Sequence, residues 1–206
     1  MFSLDHLVFA TPDLEATTAW FEERSGVAPT PGGQHVGMGT RNTLVGMGGA
    51  TYLEIVGPDL EQPEPELPRP FGIDALDEPT LVTWAVGASD LANQVERCRS
   101  LGVVLGDAIP MSRAKPDGSL LEWSLTIPAG APSLVPFLID WRGSPTPAES
   151  LGHPIALVEL TAESPDVDAS RRMLEVIGVE LPVRTGSDDR LLAVLETPNG
   201  RLELGR

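Results

Sequence analysis

Residues 4–14, Leu4-Asp5-His6-Leu7-Val8-Phe9-Ala10-Thr11-Pro12-Asp13-Leu14, join a short apolar strand pattern to a helix start. An imidazole sits near the start of a strand that otherwise looks made for burial. In a regular strand His6 shares a face with Leu4 and Val8, while Leu7 and Phe9 face the other way, toward the helix. Thr11 reads as a helix cap, and Pro12 suits a first helical position that needs no amide donor.

The same pattern recurs downstream. Thr83-Trp84-Ala85-Val86-Gly87-Ala88-Ser89-Asp90-Leu91 and Glu159-Leu160-Thr161-Ala162-Glu163-Ser164-Pro165-Asp166-Val167 repeat it. Asp13 to Gly26, Asp90 to Gly102 and Asp166 to Gly178 span 13, 12 and 12 residues. Each copy has a Thr or Ser cap (Thr11, Ser89, Ser164), an acidic residue at the positive end of a helix dipole and a glycine able to close the helix left-handed. Between them run apolar faces at helical spacing: Leu14, Thr17 and Phe21; Leu91, Val95, Cys98 and Leu101; Val167, Leu174 and Ile177.

Three shorter strand patterns follow each helix. They fall near 34–38, 41–47 and 51–56, then 106–113, 120–127 and 134–140, then 182–186, 190–196 and 201–204. Pro116-Asp117-Gly118 and Pro198-Asn199-Gly200 mark turns. The repeating unit is βαβββ, present three times. The expected division is module one at 1–57, a linker at 58–78, module two at 79–142, a linker at 143–154 and module three at 155–206. Residues 57–71 hold five prolines and residues 143–154 three more, so both read as extended connections without folded elements.

Composition bounds the function. The chain has 206 residues, enough for one large domain or two small ones with a real core. Acidic residues outnumber basic ones 30 to 14, and a net charge of −16 argues against nucleic acid and anionic membrane surfaces as partners. No apolar run approaches the ~20 residues of a membrane span. The start carries no basic region followed by an apolar stretch, so the expectation is a cytoplasmic protein. Cys98 is the single cysteine, which rules out an internal disulfide, and it falls on an apolar helix face, a poor place for a nucleophile. Gly37-Met38-Gly39-Thr40-Arg41-Asn42 lacks the third glycine of a dinucleotide fingerprint and opens no helix, so nucleotide binding is set aside.

A tandem βαβββ module resembles the vicinal oxygen chelate superfamily, and within it the glyoxalase-like domain family. The likeness lies in LDHLVFATPDL (4–14), WFEERSGVAP (20–29), GGQHVGMGTRN (32–42), TYLEIVGPD (51–59), RAKPDGSLLEW (113–123), VPFLIDW (135–141) and LETPNGRLEL (195–204). The resemblance implies an α+β fold in which two modules pair their curled mixed sheets into a cup. The third then packs alongside, or completes a second cup through a homodimer.

The resemblance also places His6 and Glu54 at metal-ligand positions on the first and last strands of module one. A divalent ion, Zn²⁺, Ni²⁺, Mn²⁺ or Fe²⁺, suits such a nitrogen and oxygen set. A His–Glu contact in a polar pocket, without metal, brings the same two side chains together. In module two the corresponding first-strand position is Thr83, and the last strand is apolar up to Asp140. Glu159 and Glu203 occupy the matching positions of module three, and modules one and three facing each other would give a four-ligand set. His35, Thr40, Asn42, Arg113 and Trp123 are the candidates for contacting a ligand, with Glu54 as the proton-moving carboxylate. Trp84, next to Thr83, belongs to the core.

Two functions follow as expectations. One is binding of a small oxygenated metabolite in a cup lined by His6 and Glu54, with divalent-metal chemistry of the lyase, isomerase or dioxygenase type. The other is metal-free sequestration of a small molecule, of the bleomycin-resistance kind.

Overall fold

The computed structural model describes residues 3–114, 120–126 and 133–205, apart from the side chains of 113, 114 and 120. The Pro116-Asp117-Gly118 turn and the Arg113 side chain lie outside the described residues.

Module one runs β1 (Ser3–Ala10), α1 (Leu14–Ser25), β2 (Thr30–His35), β3 (Thr40–Gly46) and β4 (Tyr52–Pro58). Module two runs β5 (Thr80–Gly87), α2 (Leu91–Ser100), β6 (Ala108–Ala114), β7 (Leu120–Thr126) and β8 (Phe137–Asp140). A short α3 (Ala148–Leu151) precedes module three: β9 (Ala156–Ser164), α4 (Val167–Ile177), β10 (Val183–Thr185), β11 (Arg190–Thr197) and β12 (Gly200–Leu204). The fold is α+β with three βαβββ modules. No helix among the described residues is long and apolar enough to cross a membrane.

The first two modules share one eight-stranded sheet, ordered β2-β3-β4-β1-β5-β8-β7-β6. Its two halves join where β1 pairs antiparallel with β5. Alternation along the strands then sorts side chains to two faces. Leu7, Phe9, Leu53, Ile55, Leu81, Trp84, Val86 and Leu138 face the helices in one core. Val8, Ala10, Val56, Ala85, Leu121, Trp123, Phe137 and Ile139 line the inner face in another.

The β1–β5 ladder carries two register shifts. Leu4 pairs with Val86 and His6 with Ala85, leaving Asp5 unmatched; Val8 pairs with Thr83 and Phe9 with Leu81, leaving Val82 unmatched. A bulge of this kind turns the extra residue out of the alternation. Leu4 therefore packs in the helix-side core instead of sharing the face of His6. Asp5 turns to the inner side, where its carboxylate meets His6 and Trp141.

The helix ends are capped differently from the sequence expectation. Asp13 and Asp166 accept the N–H of Ala16 and Ala169, at 3.0 and 2.9 Å. Thr11 and Ser164 sit behind them, each accepting from the backbone of the capping Asp. Gly26 and Gly178 close their helices in the left-handed region, at φ 76° and 89°.

Module three forms a separate four-stranded sheet, β10-β9-β11-β12. It turns its apolar face inward: Leu191, Ala193, Leu195, Leu202 and Leu204 join Trp84, Val86, Leu174 and Ile177 in the helix-side core. The other face is laced by ion pairs, Arg184–Glu159 at 2.9 Å, Arg190–Glu163 at 2.6 Å and Arg201–Glu196 at 3.6 Å. The third module thus packs back to back with the first two.

Arg97 of α2 ties this arrangement together. Its guanidinium donates to the carbonyls of Val176 and Ile177 at the end of α4, at 2.7 and 3.0 Å. Replacing Arg97 by Ala is expected to cost about 1–2 kcal/mol in urea unfolding with an unchanged m-value.

Candidate functional site

The inner face of the eight-stranded sheet encloses a cavity of about 90 Å³. At about 30 Å³ per water in the liquid, that is room for about three waters or a compact small molecule. Its walls are apolar and aromatic, with Leu44, Tyr52, Trp123, Phe137, Ile139 and Trp141 among them. Polar groups gather on the module-one side: His6, His35, Asn42 and Glu54.

The sheet registers explain the placement. His6 lies beside Tyr52, and Val8 beside Glu54, in the parallel β1–β4 pair. Leu44 lies opposite Glu54, and Asn42 opposite Val56 two residues along, on the same face. Strand pairing alone therefore brings together three side chains that are 12 to 48 positions apart in sequence.

Each polar group is held from behind. His6 is 3% exposed, and its Nδ1 lies 2.7 Å from Asp5 Oδ1. Trp141 Nε1 donates to the other Asp5 oxygen at 2.8 Å. The His6 ring stacks on Tyr52 at 4.6 Å and meets the edge of Phe137 at 5.3 Å. Asn42 Oδ1 accepts the Gly33 N–H at 2.9 Å, which fixes its amide orientation. Its Nδ2 donates to Glu54 Oε1 at 2.6 Å and lies 3.3 Å from His35 Nε2. His35 Nδ1 meets Thr40 Oγ1 at 3.0 Å. Gly32 makes room for this network: a Cβ there would sit 2.0 Å from Asn42 Oδ1.

What remains is a gap. His6 Nε2 and Glu54 Oε2 stand 3.7 Å apart, too far for a hydrogen bond. His35 Nε2 and Glu54 Oε1 are 3.8 Å apart, with the Asn42 amide between them.

The segments between modules, read from the sequence as unstructured connections, build the cup's rim. The turn of 3-10 helix at Pro70–Ala75 buries Ile73 in the inner core and brings Pro70 and Phe71 to the cavity. Arg69 anchors this strap through Glu64 (2.9 Å), Asp74 (2.7 Å) and the Gly39 carbonyl (3.0 Å). Hydrogen bonds from the Arg69 side chain, then from its backbone N–H, hold the Asp74 carboxyl below the usual range. At the start of the same segment burial pushes the Asp59 carboxyl up, but hydrogen bonds from Gln62 and the Glu61 N–H, with the charge of Arg41, bring it below the ordinary value. On the other side Pro147 lines the cavity, and Ala148 packs on Leu44 and Tyr52.

Of the residues singled out from the sequence, His6, Glu54, His35, Asn42 and Trp123 meet at this cavity. Thr40 is fully buried, contacts His35 Nδ1 and is not among the residues lining the cavity. Glu159 and Glu203 lie in the second sheet, in register with Val194 between them on its exposed face. They do not join His6 and Glu54. Asp5, Tyr52, Phe71, Phe137 and Trp141 were not foreseen as parts of the site. For Asp5 the one available signal was its adjacency to His6, which strand alternation argues against.

His6 Nε2 and Glu54 Oε2 provide one nitrogen and one oxygen facing the same space. The registers place Thr83 where module one has His6, and Phe137 where it has Glu54. Among the described residues no group of three or more His, Cys, Asp or Glu could hold a metal ion. Catalytic Zn²⁺ takes three protein ligands, so the two donors facing this gap fall short of a zinc site.

Comparison with known proteins places this geometry in context. The glyoxalase-like domain family matches residues 4–182. A hypothetical protein from Staphylococcus aureus has the same fold, with TM-score 0.67 at 16% identity, covering 100% of this chain and 86% of that one. Weaker likeness extends to methylmalonyl-CoA epimerase of Streptomyces coelicolor in complex with 2-nitronate-propionyl-CoA (TM-score 0.47, 21% identity, 70% and 98% covered). The methylmalonyl-CoA epimerase of Mycobacterium tuberculosis gives TM-score 0.43 at 19% identity, with 72% and 91% covered. The curated proteins compared with the chain include no match.

The strap offers a direct check of the site's construction. Phe71 lies at φ 62°, ψ 13°, left-handed backbone that costs a side-chain-bearing residue about 1 kcal/mol or more. Its ring sits 6.0 Å from Phe137. Phe71→Gly is expected to be more stable than Phe71→Ala by about 1 kcal/mol, reversing the usual order, as read by thermal or urea unfolding.

Proposed function

Because the chain belongs to the glyoxalase-like domain family of the vicinal oxygen chelate superfamily, we propose that its cup binds a small, ring-bearing, oxygenated molecule. His6 and Glu54 are the groups that engage the ligand's oxygen. The observation that carries this is the 3.7 Å gap between His6 Nε2 and Glu54 Oε2. Both atoms are aimed into an aromatic cavity by partners on their far sides. An oxygen placed between them reaches hydrogen-bond distance of both.

The walls supply the rest of the recognition. Tyr52, Phe71, Trp123, Phe137 and Trp141 offer ring faces and edges to a planar ligand. Apolar contact provides the affinity, and the His6–Glu54 end orients the molecule. Superfamily members commonly use divalent metals, but the donors described here act on the ligand directly. Glu54, with Oε1 tied to Asn42, keeps Oε2 available to accept or return a proton.

Phenol is a suitable probe because it fills one ring's space and carries one hydroxyl. Trp123 and Trp141 line the cavity, so their fluorescence reports occupancy. Phenol is expected to bind saturably with a chelator present. Glu54→Gln is expected to weaken it about tenfold, the scale of one hydrogen bond to a charged group. Leu44→Trp, which fills the cup, should abolish binding. Binding that needs added divalent metal, or that survives Leu44→Trp unchanged, would overturn the reading.

A further inference from the structure

We infer that Arg69 latches a hinged strap, residues 63–72, whose opening admits ligand to the cup and whose closing completes the wall around it. The ligand's part in this rests on the reading of the cup just given; the motion of the strap does not.

A ring-sized molecule must displace part of the wall to reach the polar end of the cup. His6, Tyr52, Glu54 and Phe137 line the cavity and are all buried, so solvent scarcely touches them. Their backbones belong to paired strands of the eight-stranded sheet, which cannot give way without breaking ladder hydrogen bonds. On two sides the lining comes from connecting segments instead: Pro70 and Phe71 of the strap on one, Trp141 and Pro147 on the other. The second is firmly seated, with Trp141 bonded to Asp5 and Ala148 buried against Leu44 and Tyr52.

The strap is held differently. Its base is pinned to the β2–β3 hairpin: the Asp59 N–H donates to the Gly39 carbonyl at 2.9 Å, and Gln62 Nε2 to the Thr40 carbonyl at 3.1 Å. Its far end is pinned by Ile73, buried in the inner core. Between these points Pro63, Glu64, Glu66, Leu67 and Pro68 are exposed. Among the described hydrogen bonds, the one from this arc to the hairpin comes from Arg69, whose Nε donates to the Gly39 carbonyl at 3.0 Å. The same guanidinium grips Glu64 at 2.9 Å and Asp74 at 2.7 Å, which draws the two ends of the arc together. Its side chain is only 11% exposed, so the charge is enclosed by these partners.

The hinge lies beside the latch. Phe71 and Gly72 take left-handed backbone, at φ 62° and 69°, between Arg69 and the Ile73 plug. A side-chain-bearing residue stays in that region only while its surroundings hold it there. Here the holding contacts are the Arg69 latch on one side and the packing of the Phe71 ring on Phe137, 6.0 Å away, on the other. Swinging the arc outward about these two residues relieves the strain and lifts Pro70 and Phe71 off the cavity, while Ile73 stays seated. Arg69 touches no ligand in this account. It is a positioning residue that sets how often the strap is up. Its contacts are the same over an empty and an occupied cup, so losing them speeds entry and exit together and changes affinity little.

Stopped-flow tryptophan fluorescence with phenol, on the full chain, reads both rate constants. Arg69→Met keeps an apolar stem and removes the charged hydrogen bonds. It is expected to raise association and dissociation by about tenfold each, the scale of one hydrogen bond to a charged group, with Kd within about threefold of wild type. Asp74→Asn weakens the latch from its partner's side and should move both constants the same way; it carries the test if Arg69→Met does not fold. Amide hydrogen exchange gives a readout without ligand. The Arg69 N–H, which donates to Asp74 Oδ2 at 2.8 Å, should exchange by local opening, faster than the paired amides of β1 and β5. In Arg69→Met the amide of residue 69 should exchange about tenfold faster again, with β1 and β5 at wild-type rates. Phenol rate constants within about twofold of wild type in the variants, or faster dissociation with unchanged association, would overturn the inference. So would a wild-type Arg69 amide that exchanges no faster than those of β1 and β5. If phenol fails to bind while the amide of residue 69 behaves as expected, the ring-binding reading of the cup fails and the opening of the strap stands.

Discussion

The antiparallel pairing of β1 with β5 is the constraint on which the rest depends. It fuses two βαβββ modules into one continuous sheet, and it is made mostly of buried residues, Leu7 and Val8 facing Trp84 and Thr83. One face of that seam is a core and the other a cavity. Two bulges interrupt it at related positions, Asp5 in one strand and Val82 in the other. In the first module the bulged residue is a carboxylate beside a histidine; in the second it is a valine beside a threonine. The same backbone device thus makes a polar half-site on one side and an apolar half on the other. The partner positions on β4 and β8 repeat the contrast, with Glu54 in one and Phe137 in the other. The cup is symmetric in its backbone and asymmetric in its chemistry.

The module repeat was legible because each copy obeys the same local rules. A strand, an acidic residue at the helix start, one helix and a glycine in left-handed backbone recur at nearly constant spacing, and the structure has a helix at each. His6 and Glu54 were legible as convergent because strand alternation and the module's own parallel pairing put both on one face. Asp5 was not, because a bulge reverses alternation for one residue and leaves no compositional mark. Phe71 and Pro147 were hidden differently. They sit in proline-rich segments whose composition suggests extended connections, whereas Arg69 and Ile73 tie one of these to the cup and Ala148 seats the other. Local sequence carries no sign of such long-range anchors. The first strand after α1 also begins earlier than its pattern implies, at Thr30, since Gly32 and Gly33 serve the Asn42 amide more than any strand preference.

The third module shows how one unit can serve two structural ends. It keeps the helix-side packing of its siblings and gives up the concave side. Its apolar face covers the outer side of β5, where Leu191, Ala193 and Leu195 join Trp84 and Val86. The face that in the other modules lines the cup carries cross-strand Arg–Glu pairs. Such exposed pairs contribute little stability singly, but they keep a sheet face solvated. Glu159 belongs to that face, which is why its likeness in sequence position to His6 does not extend to its surroundings.

Physically, the polar end of the cup is a set of side chains each satisfied on the protein side and open on one other. Asp5 and Trp141 stand behind His6, and Asn42 and Gly33 behind Glu54. The aromatic walls lower the local dielectric, which strengthens any hydrogen bond made in the gap. A crystal structure of the chain soaked in phenol tests this central claim most directly. The account places the phenol oxygen between His6 Nε2 and Glu54 Oε2, within hydrogen-bond distance of both, with the ring among Tyr52, Trp123 and Phe137. Phenol lodged outside the cup, or inside it with its oxygen turned away from those two atoms, would contradict it.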